Sequence, residues 1–203
     1  IYLDMKIYVK AAVTFSDDQV TLNGEPVAIQ QEEGKSWLAN IYYSLGVQYP
    51  KFFKMDNLCK AGFLASEMLM GKLGCVPEEP KRDWSVILMS HSGSLDDDTA
   101  YQETIQSSDN YFPSPAVFVY TLSNIVTGEI AIRHKLMGES SCFITEKYDV
   151  QTAYELAQNG FLPEKGITHM IFGWCEYMDG HTDVRMFVLT TDATDAIGEW
   201  KGA

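Results

Sequence analysis

The chain has 203 residues, a mass of 22.8 kDa and 46% hydrophobic residues. That is enough to bury roughly 70% of its extended surface in one domain, and too apolar for a disordered segment. Fifteen Lys and Arg against 28 Asp and Glu leave a net charge of −13, which repels phosphate backbones and anionic lipid and disfavours nucleic acid and membrane surfaces as partners.

Ile1 to Val9 carries Asp4 and Lys6 within an apolar run and has no small-residue cleavage site, so it reads as a first strand rather than a signal peptide. Lys6 to Phe15 is β-branched and aromatic enough to extend that strand. Ser16 to Lys35 is polar, with Asn23-Gly24 and Gly34 as turn signals, and Val20–Leu22 with Pro26–Ile29 could form a small hairpin. Ser36 to Tyr49 is aromatic-rich but weakly patterned. Lys54 to Leu73 is an amphipathic helix with Leu58, Ala61, Leu64, Ala65, Met68 and Leu69 on one face, stopped at Gly74. Pro77 to Asp83 is a charged turn.

Trp84 to Ser90 is largely apolar, as a strand buried on both faces of a parallel sheet would be. His91-Ser92-Gly93-Ser94 and Asp96-Asp97-Asp98 then cap and open a helix running to about Gln106. After a loop with two prolines, Ala116 to Lys135 is the longest apolar-periodic helix candidate, ending near Gly138. Cys142–Thr145 is a short strand, Val150–Gln158 a helix stopped by Asn159-Gly160. His169–Cys175 and Val184–Thr190 are strands joined through Asp179-Gly180. This order predicts an α/β domain with right-handed crossovers. No stretch reaches 18 consecutive apolar residues, the length a membrane-spanning helix requires. There are no internal repeats.

The four cysteines, Cys59, Cys75, Cys142 and Cys175, form no C-x-x-C pair and are too sparse for a disulfide scaffold. We expect a reducing, cytoplasmic setting. His91, His134, His169 and His181 form no metal-ligating spacing, so no metal and no cofactor is expected. Ser92-Gly93-Ser94 could hold an anion at a helix N-terminus, although the three aspartates after it favour plain capping. Met68, Met70 and Met89 could line a tunnel or simply fill core. Arg133-His134-Lys135 is a small basic spot that could meet an acidic partner, though cations suit a helix C-terminus anyway.

Phe112–Arg133 followed by Leu136-Met137-Gly138 resembles the β-ketoacyl synthases of the thiolase superfamily. In that family a Phe-Pro loop leads into a helix bearing an Asn (here Asn124), then a small residue with Gly (Gly128), an apolar "I-A-I" stretch and a "G-L-x-G-P" turn (Gly138). Lys54-Met55-Asp56 resembles the family's "R-M-D" helix start, and Val86 to Leu95 its "I-G-V-x-x-G-S-G-x-G" strand and turn. His169 to Tyr177 resembles its "A-L-V-G-G-x-E" strand, and Met186 to Leu189 the strand after it. The resemblance runs from about residue 54 to 192, with Asn124–Gly138 its specific part. It implies a single thiolase-like half: a mixed, mostly parallel five-stranded sheet with helices on both faces. Residues 1–203 would form one ketosynthase N-terminal-like domain, with 16–53 a variable insertion and 193–203 a tail.

A condensing enzyme needs a cysteine thiolate to carry the acyl group, activated at a helix N-terminus, and donors that stabilise enolate charge, supplied in the family by two histidines. The family's cysteine follows the "G-P" turn by eight residues, in a "D-T-A-C-S-S" segment. The same distance from Gly138-Glu139 reaches Lys147, which cannot hold a thioester. Cys142, five residues earlier, is either a displaced nucleophile or a buried strand thiol. By the resemblance, the two histidines and an acyl-site lysine belong to a C-terminal half that the sequence as far as Ala203 does not include. His169 and His181 come too early to replace them; the first reads as a strand-edge residue and the second as a solvated turn.

The resemblance therefore implies a non-catalytic partner subunit. It would pair with a full-length β-ketoacyl-ACP synthase of fatty-acid, polyketide or aryl-polyene-type biosynthesis and shape its acyl pocket, as chain-length-factor-like proteins do. Family dimers pair through the strand after the "G-P" turn, so Ser140, Ser141, Cys142, Phe143, Ile144 and Thr145 would form the interface. An acyl carrier protein could be a further partner. The alternatives are a half-size thiolase-like acyltransferase or hydrolase using Cys142, and a homodimeric scaffold.

Overall fold

A computed structural model describes residues 5–76 and 78–203. Ile1–Asp4 of the expected first strand and Pro77 of the expected turn lie outside them. The elements are β1 (Ile7–Phe15), β2 (Val20–Leu22), β3 (Glu25–Pro26), α1 (Trp37–Ser44), α2 (Asn57–Lys72), β4 (Trp84–Ser90), α3 (Leu95–Ile105), α4 (Pro115–Phe118), α5 (Ile125–His134), β5 (Ser140–Ile144), α6 (Val150–Gly160), β6 (His169–Met178), β7 (His181–Thr190) and β8 (Gly198–Trp200). The eight strands form one sheet in the order β3-β2-β1-β7-β6-β4-β5, with β8 pairing β1.

The five principal strands are β1, β7, β6, β4 and β5. The β4–β5 and β4–β6 pairings are parallel, whereas β6–β7 and β1–β7 are antiparallel. The sheet is therefore mixed, with its parallel part around β4. Every residue of β4 is buried, as its largely apolar run predicts for a strand covered on both faces. Two tight turns follow from sequence: Asn23-Gly24 and Asp179-Gly180 each place both residues at positive φ, the geometry of a two-residue hairpin.

Helices cover both faces. On one face α2 and α5 pack through Leu58, Ala61, Leu64, Val126 and Ile130 onto Val86, Leu88 and Ile171. On the other, α6 lays Ala153, Ala157 and Phe161 against Ile87, Met89, Met170 and Phe172. The chain leaves β4 for β5 on one side and returns from β5 across β4 to β6. Two right-handed crossovers in opposite directions must lie on opposite faces, which accounts for α5 and α6 being separated by the sheet.

Three segments differ from expectation. Within the weakly patterned 36–49 region, Ser36 caps Ala39 N–H and starts α1, which buries Leu38, Ile41 and Tyr42. The expected helix over 116–135 is broken: Pro115–Thr121 and Ile125–His134 meet at 96°. Leu122 is extended at the break, and the Ser123 hydroxyl accepts Ser94 N–H. Phe118, Val119 and Leu122 are left exposed. The 193–203 tail is docked: β8 pairs with β1, and Trp200 is only 1% exposed.

Candidate functional site

The connections from the neighbouring strands β4 and β5 leave to opposite faces of the sheet. The crevice beyond the C-terminal ends of such a pair is where open α/β sheets place their ligands. Two turns meet there, His91–Ser94 after β4 and Thr145–Asp149 after β5.

The first turn is built around Glu176 on β6. Its carboxylate accepts hydrogen bonds from Ser90 Oγ at 2.8 Å, His91 N–H at 2.7 Å and Ser92 N–H at 3.1 Å. The backbone donors that could have held an external anion are thus already engaged by the chain's own carboxylate, and the Ser92-Gly93-Ser94 turn is a closed structural element. Gly93 sits at φ +55°, where a Cβ would come within 2.6 Å of Ser123 Oγ and 2.8 Å of Ile144 Cδ1. Glycine is required for the turn to nest between the start of α5 and the end of β5.

The second turn carries the position expected for a nucleophile. Lys147 lies exposed in it, three residues before the first residue of α6. Thr145 Oγ1 donates to Lys147 O at 3.1 Å, and Asp149 caps α6 by accepting Thr152 N–H at 2.8 Å. A strand, a turn and a helix thus follow one another here, with Lys147 in the turn. The two turns touch: His91 Nδ1 lies 3.2 Å from the Thr145 carbonyl. A carbonyl only accepts, so Nδ1 bears the proton and a neutral ring keeps its lone pair on Nε2. Among the four histidines, His91 is the one brought to this crevice. Sequence reasoning treated it only as part of a cap.

Cys142 lies mid-strand in β5, opposite Leu88. Burial pushes its thiol up to about 11, and no hydrogen-bonding base accompanies it among the described residues, so it lacks the thiolate character that nucleophilic chemistry requires. β5 is the last strand of the sheet. Val86 N–H bonds to Glu139 O and Thr145 N–H to Ser90 O. With the alternation of a parallel ladder, Ser141 and Phe143 therefore bond to β4, while the peptide groups of Ser140, Cys142 and Ile144 face the open edge. Ile144 is 53% exposed, and Leu95, Phe118, Val119 and Leu122 are exposed apolar side chains as well.

Of the motif glycines, Gly138 is demanded by packing: its N–H bonds Trp84 O, and a Cβ there would stand 2.5 Å from that oxygen. Gly128 opens onto empty space, and Asn124 occupies the cap position of α5 without a side-chain capping bond. Met68 and Met70 fill one core and Met89 the other, on opposite faces of the sheet, so the three cannot line a common tunnel. The basic spot is not one either. Arg133 is held bidentately by Glu67 at 2.7 and 2.9 Å, and His134 is fully buried with its pKa lowered to about 3 by desolvation. Only Lys135 remains a free surface cation. His169 opens β6 stacked on Trp84 at 4.5 Å. His181 pairs with Asp17 at 2.8 Å, which raises its pKa. Neither belongs to the crevice.

One pair at its rim was not legible in sequence. Asp56 caps α2 through Leu58 and Cys59 N–H, and the Asp97 carboxyl hydrogen-bonds to it. Desolvation and the neighbouring Asp56 charge raise Asp97 to about 8, so the pair holds one proton at neutral pH. Among the described residues no group of three His, Cys, Asp or Glu side chains could hold a metal ion.

No known family profile matches the sequence, and no curated protein matches it significantly. Solved structures do match. The ishigamide ketosynthase/chain length factor superposes with a TM-score of 0.66 at 13% identity, over 95% of this chain and 64% of that one. The ketosynthase ApeO in complex with its chain length factor ApeC, from Xenorhabdus doucetiae, gives 0.54 at 14% identity, over 73% and 63%. AntDE:AntF, a type II PKS acyl-carrier protein in complex with its ketosynthase bound to the hexaketide, gives 0.58 at 10% identity, over 92% and 62%. The chain spans a little under two thirds of the length of these proteins. The likenesses show the fold: a ketosynthase-type, thiolase-like α/β half.

Proposed function

We propose that this chain, which has the fold of ketosynthases and their chain length factors, is a non-catalytic ketosynthase-like subunit. It pairs with a full-length β-ketoacyl-ACP synthase of fatty-acid, polyketide or aryl-polyene-type biosynthesis and shapes that enzyme's acyl pocket. The observation that carries this reading is the open edge of β5. Its outward peptide groups at Ser140, Cys142 and Ile144 form a ladder awaiting a partner strand, and Ile144 on it is an exposed apolar side chain. The same end of the molecule lacks a working nucleophile, because Lys147 cannot carry a thioester and Cys142 is held protonated. Interface residues 140–145 and a pocket-shaping role are compatible with one another because the β5–α6 turn follows directly from the edge strand. An acyl carrier protein would then dock on the assembly rather than deliver acyl groups to this subunit.

The test is affinity capture from native lysate followed by intact-complex mass determination, for the wild type and for Ile144→Lys. We expect a full-length ketosynthase in one-to-one ratio, lost when a lysine is set on the edge. The exposed position keeps the variant's own stability within about 0.5 kcal/mol. A monomer, or a complex indifferent to the lysine, overturns the reading. A homodimer that the lysine dissolves replaces it with the homodimeric scaffold.

A further inference from the structure

Far from that crevice, the C-terminal half of α2 borders a concavity of about 590 Å³, within the range of small-molecule sites. Its walls are Leu22, Val27, Leu45, Val47 and Met68, and its polar groups are Gln48, Glu67, Lys72 and Arg133. It lies at the opposite end of α2 from the Asp56 cap, so it shares nothing with the turns after β4 and β5.

Three observations point to an occupant. The first is charge. Both oxygens of Glu67 are engaged, Oε1 by Arg133 Nε and Oε2 by Arg133 Nη2. Arg133 Nη1 has no partner among the described residues, and Lys72, five residues after Glu67 in α2, also lines the concavity. Glu78 acts on Arg133 only through longer-range attraction. The donors this end offers a ligand are thus those of Arg133 Nη1 and Lys72, together with the Gln48 amide.

The second is rigidity. The Arg133 guanidinium lies over the Tyr49 ring at 5.0 Å and near the Phe63 ring at 5.9 Å, so its remaining donors are pre-positioned instead of having to be ordered on binding. The third is Gly71. It lies in the last turns of α2, where glycine costs about 1 kcal/mol relative to alanine. It is not at positive φ, and a Cβ there would meet nothing within 4 Å. No backbone or packing demand explains it; the space it leaves is the cavity.

We propose that this cavity binds a small anionic amphiphile, an unbranched alkyl carboxylate of medium length. Its carboxylate would sit on Arg133 and Lys72, and its chain would lie along Leu22, Val27, Leu45, Val47 and Met68. Gln48 lines the same concavity and adds an amide.

The experiment is calorimetric titration of the purified protein with decanoate, kept below its micelle concentration, and with decanol as the uncharged isostere. Gly71→Leu fills the trough from a helix position that favours leucine, so the variant should melt at or above the wild-type temperature. It should bind decanoate at least about tenfold more weakly. Lys72→Gln should weaken decanoate by about three- to fivefold and leave decanol unchanged. Absence of saturable decanoate binding, binding by Gly71→Leu equal to wild type, or decanol binding as tightly as decanoate would each overturn the proposal.

Discussion

At the scale of single residues, the structure turns on charges that the chain neutralises internally. Glu176 stitches the end of β6 to the turn after β4, and Glu67 clamps α5 to α2 through Arg133. His134 donates from Nε2 toward Ser66 Oγ at 2.9 Å, because that hydroxyl already donates to Phe63 O, and stays neutral in the core. At the Asp56–Asp97 pair like charges face each other. Asp97 titrates near 8 in the folded chain, well above the value near 3.9 of an unfolded aspartate. Between those values the folded state holds a proton that the unfolded state has released, so the contribution of Asp97 to stability falls as pH rises from about 4 and levels off above about 8. Asp97→Asn keeps the hydrogen bond and removes the titration. Thermal melts at pH 5 and pH 8.5 should show the variant gaining on wild type as pH rises, whereas a constant gap would exclude a shared proton.

At the scale of elements, close approach and cavity decide which glycines matter. Gly138 lets the chain enter β5 against the Trp84 carbonyl. Gly138→Ala, with a Cβ 2.5 Å from that oxygen, should destabilise by about 2–3 kcal/mol in denaturant unfolding. Gly128→Ala, at an open position inside α5, should stabilise by about 0.5–1 kcal/mol. The two belong to the same sequence motif yet have opposite expected signs, because one is read through packing and the other through helix propensity alone. The break between α4 and α5 follows similar reasoning. An apolar period of 3.6 continues across residues 116–135, but the Ser123 hydroxyl is committed to Ser94, and the chain turns through 96° to deliver it.

At the scale of the whole molecule, stability is concentrated around β4 and β6, which are covered by α2 and α5 on one face and α6 on the other. By contrast, α3 buries no residue and begins with three aspartates. Native-state amide exchange should therefore be slowest in Trp84–Ser90 and Met170–Cys175 and faster in Leu95–Ile105 by several orders of magnitude. Equal protection of α3 would mean that it is covered in solution by a surface other than those of this chain. The open edge of β5 belongs to this scale too, since an edge exists only relative to the order of all the strands.

The amino-acid sequence alone determined the α/β class, the strands β1, β4, β6 and β7, the helices α2, α3 and α6, the two glycine hairpin turns and the absence of a cysteine at the β5–α6 turn. Each of these rests on local periodicity, on the φ demanded by a turn or on residue identity at a counted position. Only the tertiary structure decided that α1 forms, that the 116–135 helix breaks and that the C-terminal tail docks through Trp200. It alone revealed Glu176 as the anchor of the first turn, His91 against Thr145 in the crevice, and Asp56 beside Asp97. Those features join residues far apart in the chain, and their energies come from burial, hydrogen-bond satisfaction and charge proximity, which have no period that a single sequence can display.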